Sequence, residues 1–80
     1  MNKMAQKVVL YSRNDCRQCK ETKKRFKEFG IDFEEINLDE HPELIDYVKY
    51  ELGYSSTPVI VTDNGVWAGF QPSKIKAIKK

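Results

Sequence analysis

No stretch of this 80-residue chain is apolar enough to cross a membrane as a helix. Such a span needs about 18 consecutive apolar residues, whereas the apolar runs here are as short as Val8-Val9-Leu10-Tyr11. The start, Met1 to Lys7, is polar and lacks the apolar region of a signal peptide, which places the chain in the cytosol. Histidine occurs once, as His41, and cysteine twice, as Cys16 and Cys19. A structural zinc takes four ligands, so one copy of the chain cannot complete that site with these residues. A disulfide framework is excluded too, because closing so short a loop stabilises by about 2 kcal/mol at most, against ~3 for a loop of 15 residues. There is no repeat, low-complexity tract or linker, and the length allows a single domain over residues 1–80. No nucleic-acid-binding motif is present.

Charge is segregated rather than scarce. The formal net charge is only +2. Between Arg13 and Lys27, however, there are seven basic and two acidic residues, and between Asp32 and Glu51 eight acidic and one basic. The acidic stretch would repel phosphates, which argues against nucleic acid as a partner. Lys20, Lys23, Lys24 and Lys27 fall on one helical stripe, either a solvated face or a dock for an acidic partner on which charge would act through encounter rate.

The chain is organised around Cys16-Arg17-Gln18-Cys19. Val8 to Tyr11 reads as a strand buried on both faces. Ser12 to Asp15 reads as a turn, with Asn14 or Asp15 as helix N-cap. Cys19, Thr22, Phe26 and Phe29 recur at spacings of three and four, one face of a helix, which Gly30 ends. Ile31 to Leu38 alternates, Ile36 and Leu38 opposite Phe33, as an edge strand parallel to the first in a βαβ unit. Pro42 opens a second helix with Leu44, Ile45, Val48 and Leu52 on its apolar face, closed by Gly53. His41 reads as a surface residue at that helix start. Val59 to Thr62 and Val66 to Ala68 form a hairpin about Asp63-Asn64-Gly65. A last helix runs from Pro72 through Ile78. The order is βαβαββα, an α/β fold.

A CxxC at the start of a helix suits reversible dithiol–disulfide exchange. The thiolate is the nucleophile. Unpaired N–H groups and the helix dipole favour it there, as do the cations Arg13 and Arg17, while Asp15 opposes it. Cys16 would attack a substrate disulfide and Cys19 would resolve the mixed disulfide, with no metal and no organic cofactor. The alternative is a metal bridged between two copies, each supplying two thiolates. Thr57-Pro58 is the second constellation: a proline that either merely starts a strand or forms a cis bond next to the thiol, leaving backbone groups for an extended substrate.

Taken together, Tyr11-Ser-Arg-Asn-Asp-Cys-Arg-Gln-Cys19, Ser56-Thr-Pro-Val59 and Trp67-Ala-Gly-Phe-Gln-Pro72 resemble the NrdH-type, glutaredoxin-like redoxins over roughly residues 7 to 78. The resemblance implies the thioredoxin/glutaredoxin fold, a four-stranded mixed sheet with three helices and Pro58 cis. It implies catalytic Cys16 and Cys19, and partner contacts at Arg17, Gln18, Thr57, Pro58, Trp67 and Phe70. For Trp67 and Phe70 the competing reading is core packing. It further implies a monomeric electron carrier, reduced by thioredoxin reductase and reducing class Ib ribonucleotide reductase. Glutathione-dependent glutaredoxins, the first rival, carry a Gly-Gly turn followed by acidic residues, whereas Trp67 to Ser73 holds no acid. A second rival is a thiol-based regulatory binding protein, whose extra helical insertion 80 residues leave no room for. Arg17 replaces an apolar residue usual in the family, and Gln71 and Ser73 stand where many members have Arg and Asp.

Overall fold

The structure, a computed structural model, describes residues 7–79. Along them run β1 (Val9–Ser12), α1 (Arg17–Glu28), β2 (Glu34–Asn37), a middle helical segment, β3 (Val59–Thr62), β4 (Gly65–Ala68) and α2 (Pro72–Lys79). The sheet order is β2-β1-β3-β4. β1 is parallel to β2 and antiparallel to β3, which pairs antiparallel with β4. The mixed sheet and three helices among the described residues are those of the thioredoxin/glutaredoxin fold.

Alternation along the strands assigns each side chain to one of two cores. Val8, Leu10, Ile60 and Trp67 meet Phe26 of α1 and Ile75 of α2 on one face. Tyr11 and Val59 meet Leu38 and Val48 on the other, where the middle helical segment lies. β1, central in the sheet, contributes to both cores, as its unbroken apolar run requires. Edge strand β2 divides as its alternation implies: Phe33, just before it, packs with the first core, and Ile36 with the second.

Helix α1 exists because Cys19, Thr22 and Phe26 fall on one face and are buried there. It ends in a Schellman motif: Gly30 N–H donates to Lys27 C=O at 3.2 Å and Ile31 N–H to Phe26 C=O at 2.9 Å. Gly30 takes φ +68° to allow this, a conformation that costs side-chain-bearing residues.

Three local expectations are corrected. The N-cap of α1 is Cys16 itself rather than Asn14 or Asp15, and Asp15 instead takes a positive φ of 56° in the turn. The middle segment is not one regular helix. A 3₁₀ turn over Pro42–Leu44 precedes a π-helical turn over Tyr47–Leu52; Gly53, at φ +87°, closes the latter by donating to Val48 C=O. A stripe of four apolar residues specifies which face is buried but not the hydrogen-bond ladder beneath it. In the hairpin the two-residue loop is Asp63-Asn64, since Gly65 already pairs with Thr62. Thr62 Oγ1 accepts from Asn64 N–H at 3.1 Å and donates to Gly65 C=O at 3.0 Å, holding that loop closed.

Candidate active site

The two sulfurs sit where β1 hands over to α1, and Cys16 and Cys19 are joined as a disulfide with Cα atoms 5.2 Å apart. Their environments differ. Cys16 is half-buried at the helix start, whereas Cys19, one turn on and facing the core, is 1% exposed. Cys16 has extended backbone (φ −109°, ψ 104°) and its Sγ accepts the Cys19 N–H at 3.1 Å. A sulfur thus fills the place an Asn or Asp oxygen takes in most N-caps. In the reduced protein the same N–H and the helix terminus stabilise negative charge on that atom.

Thr57 comes to Cys16 from across the sheet. The Thr57–Pro58 peptide bond is cis, and Thr57 Oγ1 donates to Cys16 Sγ at 3.6 Å. Pro58 is buried beneath, and its carbonyl accepts Gly69 N–H at 2.8 Å. This joins the segment before β3 to the loop after β4. Gln18 closes the rim from α1, its Oε1 accepting Phe70 N–H at 3.0 Å. Gly69, with φ +86°, makes that approach possible. Gln71 Nε2 donates to Ala68 C=O at 2.8 Å and so caps its own loop.

Of the residues expected around the thiols, Thr57 meets Cys16, Pro58 follows it through the cis bond and is buried, and Gln18 meets Phe70. Arg17 is exposed beside Cys16. Trp67 is elsewhere: 8% exposed, it packs in the core shared with Phe26 and Ile75, with the Lys74 ammonium 6.0 Å from its ring centroid. Phe70 is half-buried against the same core, the Arg25 guanidinium 5.7 Å from its ring centroid. The core reading therefore describes Trp67 best. His41 is exposed, its Nδ1 3.2 Å from Glu43 Oε2.

Asp39 and Asn37 also belong to the site, and no local pattern in the sequence points to that. Arg13 Nη2 donates to Asp39 Oδ1 at 2.7 Å and Asn14 N–H to Asp39 Oδ2 at 2.7 Å, while Asn37 Nδ2 donates to Asn14 Oδ1 at 3.1 Å. The loop ahead of Cys16 is thereby tied to the end of β2. The Arg13 guanidinium, followed by the Asn14 amide, holds the Asp39 carboxyl below the usual carboxylate range. The charge of Arg13, which the sequence sets to favour the thiolate, is matched by Asp39, so Arg17 is the cation adjoining Cys16 in the chain that has no carboxylate partner among the described residues. A cleft of about 190 Å³ opens beside Thr57, with Arg13, Lys49 and Tyr54 in its walls.

A half-buried sulfur at a helix start, a buried second sulfur one turn on and a cis-proline loop against the first define a thiol–disulfide oxidoreductase of the thioredoxin fold. The glutaredoxin family model matches residues 8–67. The glutaredoxin-like protein NrdH of Lactococcus lactis is 46% identical over 68 residues, covering 85% of this chain and 93% of that protein. The protein of the same name from Escherichia coli K12 is 36% identical over 72 residues, covering 90% and 88%. Among solved structures, E. coli NrdH-redoxin superposes with a TM-score of 0.83 at 37% identity over 89% of this chain and 92% of that one. The chain belongs to the glutaredoxin family and, within it, to the NrdH type.

Among the described residues no helix is long and apolar enough to cross a membrane, and no group of three or more His, Cys, Asp or Glu side chains gathers as a metal site.

Proposed function

We propose that the chain is a cytosolic dithiol electron carrier, reduced by thioredoxin reductase and reducing class Ib ribonucleotide reductase. The observation that carries the dithiol mechanism is the asymmetry of the two sulfurs, one reachable and cushioned by hydrogen-bond donors, the other buried behind it. The Cys16 thiolate attacks one sulfur of a substrate disulfide and expels the other as thiolate. Cys19, deprotonated, then attacks the Cys16 sulfur and releases the second substrate thiol. Two electrons pass from the dithiol to the substrate, and the protein is left oxidised in the Cys16–Cys19 form. Arg17, Gln18, Thr57, Pro58 and Phe70 make the rim that receives the substrate, and Trp67 belongs to the core against which Phe70 packs.

The choice of reductant is favoured by a second observation. Phe70 N–H, an anion-binding donor were it free, is taken by Gln18 Oε1, and no acid follows it through Ser73. Glutathione finds neither an open amide there nor the carboxylates that hold its amino end. The E. coli relative is described as having a thioredoxin-like activity profile, in line with this reading.

Turnover coupled to NADPH through thioredoxin reductase is expected, with none through glutathione and glutathione reductase. The opposite result would make the protein a glutathione-dependent glutaredoxin. Cys19→Ser should accumulate a mixed disulfide through Cys16 on a non-reducing gel, and a Cys16→Ser protein that still reduces disulfides would refute the roles given to the two sulfurs.

A further inference from the structure

Three of the basic side chains between Arg13 and Lys27 are engaged within the fold: Arg13 with Asp39 at 2.7 Å, Lys23 with Glu35 at 3.0 Å and Arg25 with Glu28 at 3.8 Å. The other four, Arg17, Lys20, Lys24 and Lys27, are exposed and have no carboxylate partner among the described residues. They follow one another at spacings of three, four and three along α1, and so form a single line on its surface. At ~1.5 Å rise per residue that line is about 15 Å long. It begins at Arg17, the residue after Cys16. Lys20, Lys24 and Lys27, with Lys23, Phe33 and Glu35, line a shallow groove of about 470 Å³ between α1 and β2. Phe33 supplies an apolar floor, its ring centroid 4.8 Å from that of Phe26. Glu35 is already paired with Lys23 and Ser12. On the far side of the line lie Glu21, exposed, and Glu28, drawn toward Arg25.

Like charges three and four residues apart repel, so this arrangement weakens the helix that carries it. An occupant of opposite charge relieves that repulsion. We propose that the line of Arg17, Lys20, Lys24 and Lys27 docks an acidic, extended segment of the protein whose disulfide is being reduced. An extended chain advances ~3.3 Å per residue, so the acidic residues lie within about five positions of the cysteine attacked. The inference rests on the exchange reaction proposed above and deepens it by naming a charge class of substrate. The stripe accelerates encounter and orients the incoming disulfide toward Cys16.

The test uses two disulfide-containing peptides identical around the cysteine, one flanked by Asp and Glu, the other by Asn and Gln. The ratio of their kcat/KM values is measured for the wild type and for the Lys20→Gln/Lys24→Gln/Lys27→Gln variant, each at low and high salt. The wild type is expected to prefer the acidic peptide about tenfold at low ionic strength, within the range of electrostatic steering. High salt and the triple variant should each bring the ratio close to one. A wild-type ratio near one, or a preference that the variant retains, overturns the proposal. Equal competition by a single-stranded oligonucleotide, or salt-sensitive self-association that excludes the peptide, also overturns it by assigning the stripe to nucleic acid or to a second copy. If neither peptide is reduced by protein shown to be in the dithiol form, the exchange reaction itself has failed, and that result is distinct from a lost preference.

Discussion

The hydroxyl of Thr57 donates to the Cys16 sulfur from 41 positions away along the chain, and removing it should alter the thiol chemistry without disturbing the fold. Thr57→Val keeps the β-branched shape suited to the extended conformation before a proline. A hydrogen bond to a charged acceptor contributes about 1.5–3 kcal/mol, and at 3.6 Å this one belongs at or below the weak end. Losing ~1.4 kcal/mol of preference for the thiolate shifts the ionisation equilibrium of Cys16 roughly tenfold toward the thiol. The thiolate that remains is the more basic and intrinsically faster nucleophile, by about threefold for a Brønsted coefficient of ~0.45. Near neutral pH the lost thiolate outweighs that gain, and the variant should react more slowly, by about two- to threefold. In alkali both proteins are fully ionised and the variant should be the faster. The two pH–rate profiles should therefore cross. Since the reduced form loses stabilisation, the redox potential should fall by up to ~30 mV. Alkylation rate against pH, with a redox titration against a dithiol buffer, measures both quantities. Profiles that stay parallel, with an unchanged potential, would show that the Cys19 N–H and the helix terminus alone hold the sulfur's charge.

Phe26, fully buried on the CxxC helix, should cost about 3–5 kcal/mol on replacement by alanine. Native stability of about 4–12 kcal/mol is expected for 80 residues, so urea unfolding of Phe26→Ala should show a loss of a quarter or more of the total. Burial works to raise the Glu35 pKa, but the Ser12 hydrogen bond and the Lys23 ammonium outweigh it and hold the carboxyl below its ordinary 4.5. The unfolded state then binds the proton more readily, so the stabilisation is complete above about pH 4.5 and is lost as pH falls through the lower folded value. Melting temperature against pH should drop less steeply in that acid window for Glu35→Gln than for the wild type. At Gly69, φ +86° disfavours any side chain, while a Cβ would meet only Gln18 Oε1, at an ordinary 3.5 Å. Gly69→Ala should thus cost about 1–2 kcal/mol through the backbone alone, and a neutral result in denaturant would show that the rim relaxes freely.

Local pattern alone determined much of this protein. The alternation at Val9, Leu10 and Tyr11, and again at Val59, Ile60 and Val61, divides apolar side chains between two faces. That calls for helices on both sides, and the three-and-four spacing of Cys19, Thr22 and Phe26 supplies one of them. The CxxC after the first strand, with Thr57-Pro58 ahead of the third, points to the chemistry. These signals are legible because they depend on neighbours within a few residues. What surrounds the sulfurs is of another kind. Thr57 lies 41 residues from Cys16, Phe70 lies 52 from Gln18, and Asp39 lies 26 from Arg13. The first and third pairs meet because the order β2-β1-β3-β4 flanks the end of β1 with the end of β2 on one side and the start of β3 on the other, and Phe70 reaches Gln18 because β4, antiparallel to β3, ends beside the start of β3. The same holds for the cations of α1, which look equivalent in the sequence. Glu28 takes Arg25 within the helix, and carboxylates brought in by β2 and by the loop after it take Lys23 and, just ahead of the helix, Arg13. Arg17, Lys20, Lys24 and Lys27 are left facing solvent, because tertiary packing decides which distant opposite charges come within reach.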